Sequence, residues 1–256
     1  MSAARIYRVL VTGAGSGIGA QLAGHLCRSG HTVVVTDLDA TAAQEVAEQL
    51  TASGGVARGA RLDVTSASEV GAVVAAAGPI DILINNAGLQ QVSSLEQFPT
   101  TAWQHIVNVL LVGAALMTRA VLPGMRARAF GRIVNIGSIH SLVASPYKSA
   151  YVAAKHGLLG LSKTVALEVA DMDITINTIC PAYVQTPLVD AQIAAQAREH
   201  RLTPEQVIST IMLAPMPKKA FITTEEIAAL TLFLMSDAAR NITAQAIAID
   251  GGWTAR

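Results

Sequence analysis

"VTGAGSGIGAQLAGHL", residues 11–26, joins a β-branched run to a segment of helical composition through glycines at 13, 17 and 19. The run before it, "RVLVT" (8–12), has the composition of a strand, so the glycines sit in a strand-to-helix turn. Glycine lets the backbone turn tightly and approach a pyrophosphate, while the free N–H groups of the helix N-terminus face its negative charge. Gly13, Ser16, Gly17, Ile18 and Gly19 are the candidate turn of a dinucleotide site. The next strand-like run, "TVVVTD" (32–37), ends in Asp37. A carboxylate there accepts hydrogen bonds from the adenosine ribose hydroxyls and repels a 2′-phosphate. Leu38 and Ser16 offer that phosphate no cation, so the expected cofactor is NAD rather than NADP.

Further strand-like runs follow at "DILIN" 81–85, "GRIVNIGS" 131–138, "DITINTI" 173–179 and "AIAID" 246–250, separated by alanine-rich helical segments. Near-continuous Val/Ile strands belong in a parallel sheet covered on both faces, so the expected fold is α/β: a single doubly wound, Rossmann-type sheet of about seven strands. With 256 residues, 52% of them hydrophobic and 14% charged, one domain spanning 1–256 buries a sizeable core. The net charge is zero, which recommends neither nucleic acid nor an anionic membrane as partner. Cys27 and Cys180, the only cysteines, are too few for a disulfide framework or a metal cluster, so no metal is expected. The remaining histidines, 25, 31, 105, 156 and 200, show no metal-ligand spacing. The N-terminus runs directly into the first strand and no apolar stretch reads as a membrane span; a cytoplasmic location is expected. After the sixth strand a long, otherwise irregular stretch from Pro181 to "APMPKKAF" (214–221) carries four further prolines around a helical segment expected near 188–213. Its part at 188–220 is expected to act as a lid over substrate.

The spacing of "TGAGSGIG", with "LDV" 62–64, "NNAG" 85–88, Ser138 and "YVAAK" 151–155, resembles the short-chain dehydrogenase/reductase family over essentially the whole chain. The resemblance implies Ser138, Tyr151 and Lys155 as the catalytic set, with Asp63 and Val64 near the adenine. It also implies Asn86, Ala87 and Gly88 beside the cofactor, and Pro181, Val184 and Thr186 of "PAYVQTP" against the nicotinamide, in a homotetramer. Helices around 101–127 and 150–170 that are apolar on more than one face fit such an assembly. Residues four apart share a helix face, so Tyr151 has Lys155 beside it, whereas Tyr147 has only Tyr151. A free phenol titrates near 10, and a neighbouring ammonium together with the oxidised nicotinamide favours phenolate. Tyr151 would then take the alcohol proton while the Ser138 hydroxyl stabilises the alkoxide. A Tyr–x–x–x–Lys pair without the glycine turn and Ser138 would be an ordinary surface pair.

Lys148, just before Tyr151, is available to hold an anion at the reactive end of the cleft. The stretches "GLQ" 88–90, "SIHSLVAS" 138–145, "YKSAY" 147–151, "PLVDAQI" 187–193 and "DGGWTAR" 250–256 resemble the bacterial 3-hydroxybutyrate dehydrogenases within that family. Carried over position by position, this implies that Gln90, His140, Lys148 and Gln192 bind a substrate carboxylate, with Trp253 near the short chain and Ser138 and Tyr151 at the reacting carbon. The implied reaction is oxidation of the (R)-3-hydroxy acid to acetoacetate. Gln192 is expected to arrive on lid closure. Taken singly, each of these has an ordinary reading: a solvated helix lysine, a turn glutamine, a satisfied loop histidine, a terminal packing tryptophan. Two alternatives stand beside this one, a reductase of another 3-oxo acid or 3-oxoacyl thioester, and a non-catalytic dinucleotide-binding protein. The family usually carries an asparagine at the position of Leu110, where it helps hold a relay water behind the lysine, and a glycine at the position of Ala182. Asn108 is rotated by roughly 200° from Leu110 on a helix and cannot substitute. Proton exit is therefore expected to use backbone groups and water alone.

Overall fold

The computed structural model describes residues 5–255. The turn read from the sequence joins β1 (Arg8–Thr12) to α1 (Gly17–Arg28), and the chain then alternates through β2 (Thr32–Asp37), α2 (Ala40–Ala52), β3 (Val56–Arg61), α3 (Ala67–Ala77) and β4 (Ile82–Asn85). Two consecutive helices, α4 (Thr100–Val107) and α5 (Gly113–Ala127), precede β5 (Phe130–Ile136), α6 (Ser149–Glu168) and β6 (Asp173–Pro181). Then come α7 (Pro187–His200), α8 (Pro204–Val207), α9 (Thr224–Met235) and β7 (Ala246–Ile249). The strands form one seven-stranded, all-parallel sheet in the order β3-β2-β1-β4-β5-β6-β7.

Successive residues of a strand point to opposite faces, and this alternation divides the core into two layers. Val9, Val11, Val33, Val35, Ile82 and Ile84 enter the layer that also holds Leu22, Leu26, Ile227 and Leu234. Their neighbours Leu10, Val34 and Leu83 enter the other, with Met117, Val121, Val165 and Ile176. Both layers are apolar, which is why the inner strands read as unbroken runs. The edge strand β3, "VARGAR", pairs on one side only and alternates between exposed and half-buried positions. Its sequence alternates accordingly and carries no apolar run, unlike the other edge strand β7, "AIAI", so the reading that finds the other six strands passes over it.

α4 and α5 are continuous through a π-helical turn at Asn108–Val112. Together they make the 28-residue helix Thr100–Ala127, with a mean hydropathy of 1.8 over its most apolar window. By length and composition alone it could span a membrane, contrary to the expectation that no stretch would. Its inner residues Ile106, Leu110, Met117, Val121 and Met125 are buried against the rest of the fold, so it serves as a core helix. Only 39% of that window is buried, leaving an apolar outer face. The proline-punctuated stretch after β6 carries the helical segment expected near 188–213: α7, α8 and a π-helical turn at Ile208–Met212 close on a small core of Val189, Ile193, Val207 and Met212.

Neighbours of β1 were reached by the chain in opposite directions, β2 on one side and β4 on the other, so a crevice opens beyond the C-terminal ends of β1 and β4. Thr12 ties its two walls together. Its buried hydroxyl oxygen accepts hydrogen bonds from the backbone N–H groups of Asn86 (3.0 Å) and Ala87 (3.1 Å). Thr12→Val preserves shape but leaves both donors unpaired, at a cost of about 2–3 kcal/mol; urea unfolding should show that loss.

Candidate active site

In the turn after β1, Gly13 has φ +60°, and a Cβ there would meet Ala87 Cα at 2.6 Å. Gly17 has φ +55° with nothing within 4 Å of a Cβ, which leaves open space over the N-terminus of α1. Ser16, the N-cap, makes no side-chain cap bond, so the first N–H groups of α1 face that space and fit a pyrophosphate. Ile18 lines the adjoining cleft. At Gly19 a Cβ would run into the Gly13 carbonyl oxygen and the Asn86 amide. Asp37, at the end of β2, accepts from Gly15 N–H (2.9 Å) and Asp39 N–H (3.1 Å); it braces the turn and keeps further lone pairs for a ribose. Leu38 beside it is exposed.

Asn86 differs from its expected role in part. Its Nδ2 donates to the carbonyls of Thr12 (3.0 Å) and Gly13 (2.8 Å), so both amide hydrogens are committed to holding the turn and the side chain acts on the cofactor site indirectly. Ala87 backs Gly13, and Gly88 lies where a Cβ would sit 3.0 Å from Leu110 Cδ2. Asp63 follows β3, its carboxylate accepting from the Thr65 N–H (2.9 Å) and hydroxyl (2.7 Å), which lowers its pKa. Val64 is buried beside it.

A cleft of about 140 Å3 opens at the same end of the sheet. Its wall includes Gln90, Ser138, His140, Lys148, Tyr151 and Gln192, along with Pro181, Val184 and Thr186. Residues separated by a hundred positions in the chain thus converge on one small site, below the ~300–1,000 Å3 of a drug-sized pocket. Ser138 follows β5 and caps a short turn, its hydroxyl accepting from His140 N–H (3.2 Å). Lys148 is the N-cap of α6 rather than a residue on its face. Its Nζ lies 3.4 Å from His140 Nε2 and 6.0 Å from the centre of the Tyr183 ring. Tyr147 projects into solvent with φ +64°, whereas Tyr151 lines the cleft.

Two expected members stand behind the wall. Trp253 meets the cleft through its neighbours, edge-on to His140 (6.0 Å) and stacked on Tyr183 (6.1 Å). Lys155 is buried, its Nζ donating to the Ile136 carbonyl at 2.6 Å and lying 5.7 Å from the Tyr151 ring centre. Tyr183 and Val189 line the cleft without having been singled out; a tyrosine inside "PAYVQTP", in a chain only 4% aromatic, was the available signal for the first.

Burial raises the Tyr151 phenol, and the hydrogen bond with Ser138 opposes it. Burial also lowers Lys155 to about 8. In the protein alone desolvation therefore outweighs the expected lowering of the phenol. His140 is brought down to about 4, first by burial and then by the Lys148 ammonium, so at neutral pH its ring is uncharged and accepts from Lys148. Among the described residues no group of His, Cys, Asp and Glu could hold a metal.

The glycine turn, the Ser138 hydroxyl and the Tyr151–Lys155 pair of α6 thus lie at one end of the sheet. The family model of the short chain dehydrogenases matches residues 7–197. This chain belongs to the short-chain dehydrogenase family. It is 53% identical over 179 residues, 70% of this chain and 69% of the other, to a D-beta-hydroxybutyrate dehydrogenase of Rhizobium meliloti (strain 1021). Over 251 residues, 96% of this chain and 97% of the other, it is 42% identical to the D-beta-hydroxybutyrate dehydrogenase of Cupriavidus necator. An acetoacetyl-CoA reductase of Shinella zoogloeoides is 38% identical over 175 residues, 68% of each chain. As a short-chain dehydrogenase the protein is an oxidoreductase using NAD or NADP.

The unfolded chain takes up a proton at His140 near its ordinary pKa of about 6.5, while the folded one resists until about 4. Stability is therefore full above that window and falls as pH drops through it, by on the order of 2 kcal/mol at pH 5. His140→Gln should flatten the decline of the thermal midpoint between pH 7 and 5.

Proposed function

We propose that this chain is an NAD-dependent dehydrogenase that interconverts (R)-3-hydroxybutyrate and acetoacetate. The observation that carries the reading is the grouping of Lys148, His140, Gln90 and Gln192 in the cleft that also presents Ser138 and Tyr151. A small carboxylate leaving water needs a cation and hydrogen-bond donors, and these residues supply them beside the reacting groups. Two full- or part-length relatives named for that substrate support the choice. Asp37 without a neighbouring cation supports NAD over NADP. The residues that would hold the cofactor are the 13–19 turn, Asp37, Asp63, Val64 and the backbone of 86–88, with Pro181, Val184 and Thr186 toward the nicotinamide. NAD supplies the hydride acceptor.

In the oxidative direction Tyr151 Oη takes the hydroxyl proton, Ser138 Oγ stabilises the developing alkoxide, and Lys155 favours the phenolate electrostatically. The C3–H bond breaks with its electron pair leaving as hydride, and the C–O bond becomes a carbonyl. Tyr183, Val189 and the ring of Trp253 behind them bound the short chain. Residues 188–220 form the cover, which carries Gln192. The whole chain acts as one domain, and the apolar outer face of Thr100–Ala127, where Val112 is exposed, together with the exposed Leu167 of α6, supports a homotetramer; the location proposed is the cytoplasm.

The test is NADH oxidation with acetoacetate and with its methyl ester. The acid should be strongly preferred, and Lys148→Ala should remove most of that preference, roughly 10–100-fold in kcat/KM. Equal rates for acid and ester would overturn the carboxylate site, and faster turnover of acetoacetyl-CoA would move the reading to a thioester reductase. NADPH should serve poorly, and Asp37→Ala should narrow the gap between the two cofactors.

A further inference from the structure

Behind Lys155 lies a second, much smaller cavity of about 10 Å3, lined by Thr12, Asn85, Ala87, Leu110, Ala114 and Lys155 among others. That accessible volume is about what one water requires. Asn85, 7% exposed at the end of β4, has no hydrogen-bond partner for its Oδ1. The direction in which its amide points is set by a buried chain of bonds. Ser162 Oγ donates to the Leu158 carbonyl (2.7 Å) and so accepts from Asn135 Nδ2 (2.9 Å). Asn135 must then present Oδ1 to Asn85, which donates to it through Nδ2 at 2.8 Å. The same Nδ2 lies 3.3 Å from Thr118 Oγ1. Turning Asn85 over would set two amide oxygens against each other, so its Oδ1 is left over as an acceptor.

An unpaired buried acceptor costs about 1–3 kcal/mol, and a buried ammonium that donates to one carbonyl has donors to spare. Thr12 Oγ1 is already committed to Asn86, Ala87 and the Ile84 carbonyl, and the side chain of Leu110 carries no polar group. We propose that one water occupies it, accepting from Lys155 Nζ and donating to Asn85 Oδ1, and that Asn85 is thereby a positioning residue that keeps Lys155 charged beside Tyr151. This rests on the reading of Tyr151 and Lys155 as the acid/base pair. It replaces the expectation of support from backbone and water alone with a side chain from β4, anchored through β5 to α6. The site has both polar partners a buried water needs.

Ala114→Val adds two methyl groups at the cavity wall and touches none of these hydrogen bonds; Asn85→Leu removes the acceptor itself. The experiment is a crystal structure at a resolution that places waters, joined to an NMR titration of 13Cε-labelled lysine with NAD bound, the Lys155 signal assigned through Lys155→Arg. The wild type should show one water within hydrogen-bond distance of both atoms. Ala114→Val should lose it and titrate Lys155 lower by about half a pH unit or more, with Asn85→Leu shifting the same way if it folds. A dry cavity, a reversed Asn85 amide, or a water displaced with no change in the Lys155 titration would overturn the proposal. None of these readouts depends on the substrate: a wild type that holds the water yet leaves acetoacetate unreduced sinks the hydroxybutyrate reading alone.

Discussion

The joint between the ends of β1 and β4 is the constraint on which the rest of the site depends. Thr12 accepts two N–H groups from the segment after β4, and Asn86 returns two hydrogen bonds to the carbonyls of Thr12 and Gly13. These reciprocal bonds fix the width of the crevice at the point where the strand order reverses. They hold Gly13 in its left-handed conformation with its backbone against Ala87, and they bring Gly88 against Leu110 on the helix that backs Lys155. A small polar side chain and one amide thus set the distance between the cofactor turn and the reacting groups.

Behind that joint, the interior is polar along one line and apolar elsewhere. Asn85, Asn135, Ser162 and Thr178 are buried and hydrogen-bonded across β4, β5, α6 and β6. Such a network specifies a unique arrangement because each member's donors and acceptors constrain the next. It runs next to Lys155, whose charge is disfavoured by burial. The substrate cleft has the opposite problem: Lys148 holds a positive charge ready for an anion, and a neutral His140, which accepts from it, keeps two cations from competing for the same few ångströms.

Much of this was legible in the chain itself, where the chemistry is local. The glycine turn, Asp37 at a strand end, and the four-residue step from Tyr151 to Lys155 depend on backbone geometry over a few residues, so spacing predicts them. The five inner strands follow from burial on both faces, and the edge strand β7 from its own apolar run; β3, at the other edge, alternates between exposed and half-buried positions and escapes. The helical segment near 188–213 was legible as well, because Pro187 and Pro204 sit at helix starts, where proline is tolerated. Asn85 could not be distinguished from Asn86 in "NNAG": one points into a water-sized cavity and the other clasps the turn, a difference set by the alternation of β4 against its neighbours.

The amino-acid sequence alone determined the α/β class and the pairing of tyrosine with lysine, because periodicity and short-range spacing encode them, while the family came from the resemblance of its motifs. Only the tertiary structure decided that Gln90, Ser138, His140, Lys148, Tyr151 and Gln192 share one cleft, that Trp253 reaches it through Tyr183 and His140, and that the left-over oxygen of Asn85 shares a cavity with Lys155. Those are facts of long-range packing: they depend on which strand lies beside which, and on the direction of hydrogen bonds passed from one buried side chain to the next, neither of which any single segment contains.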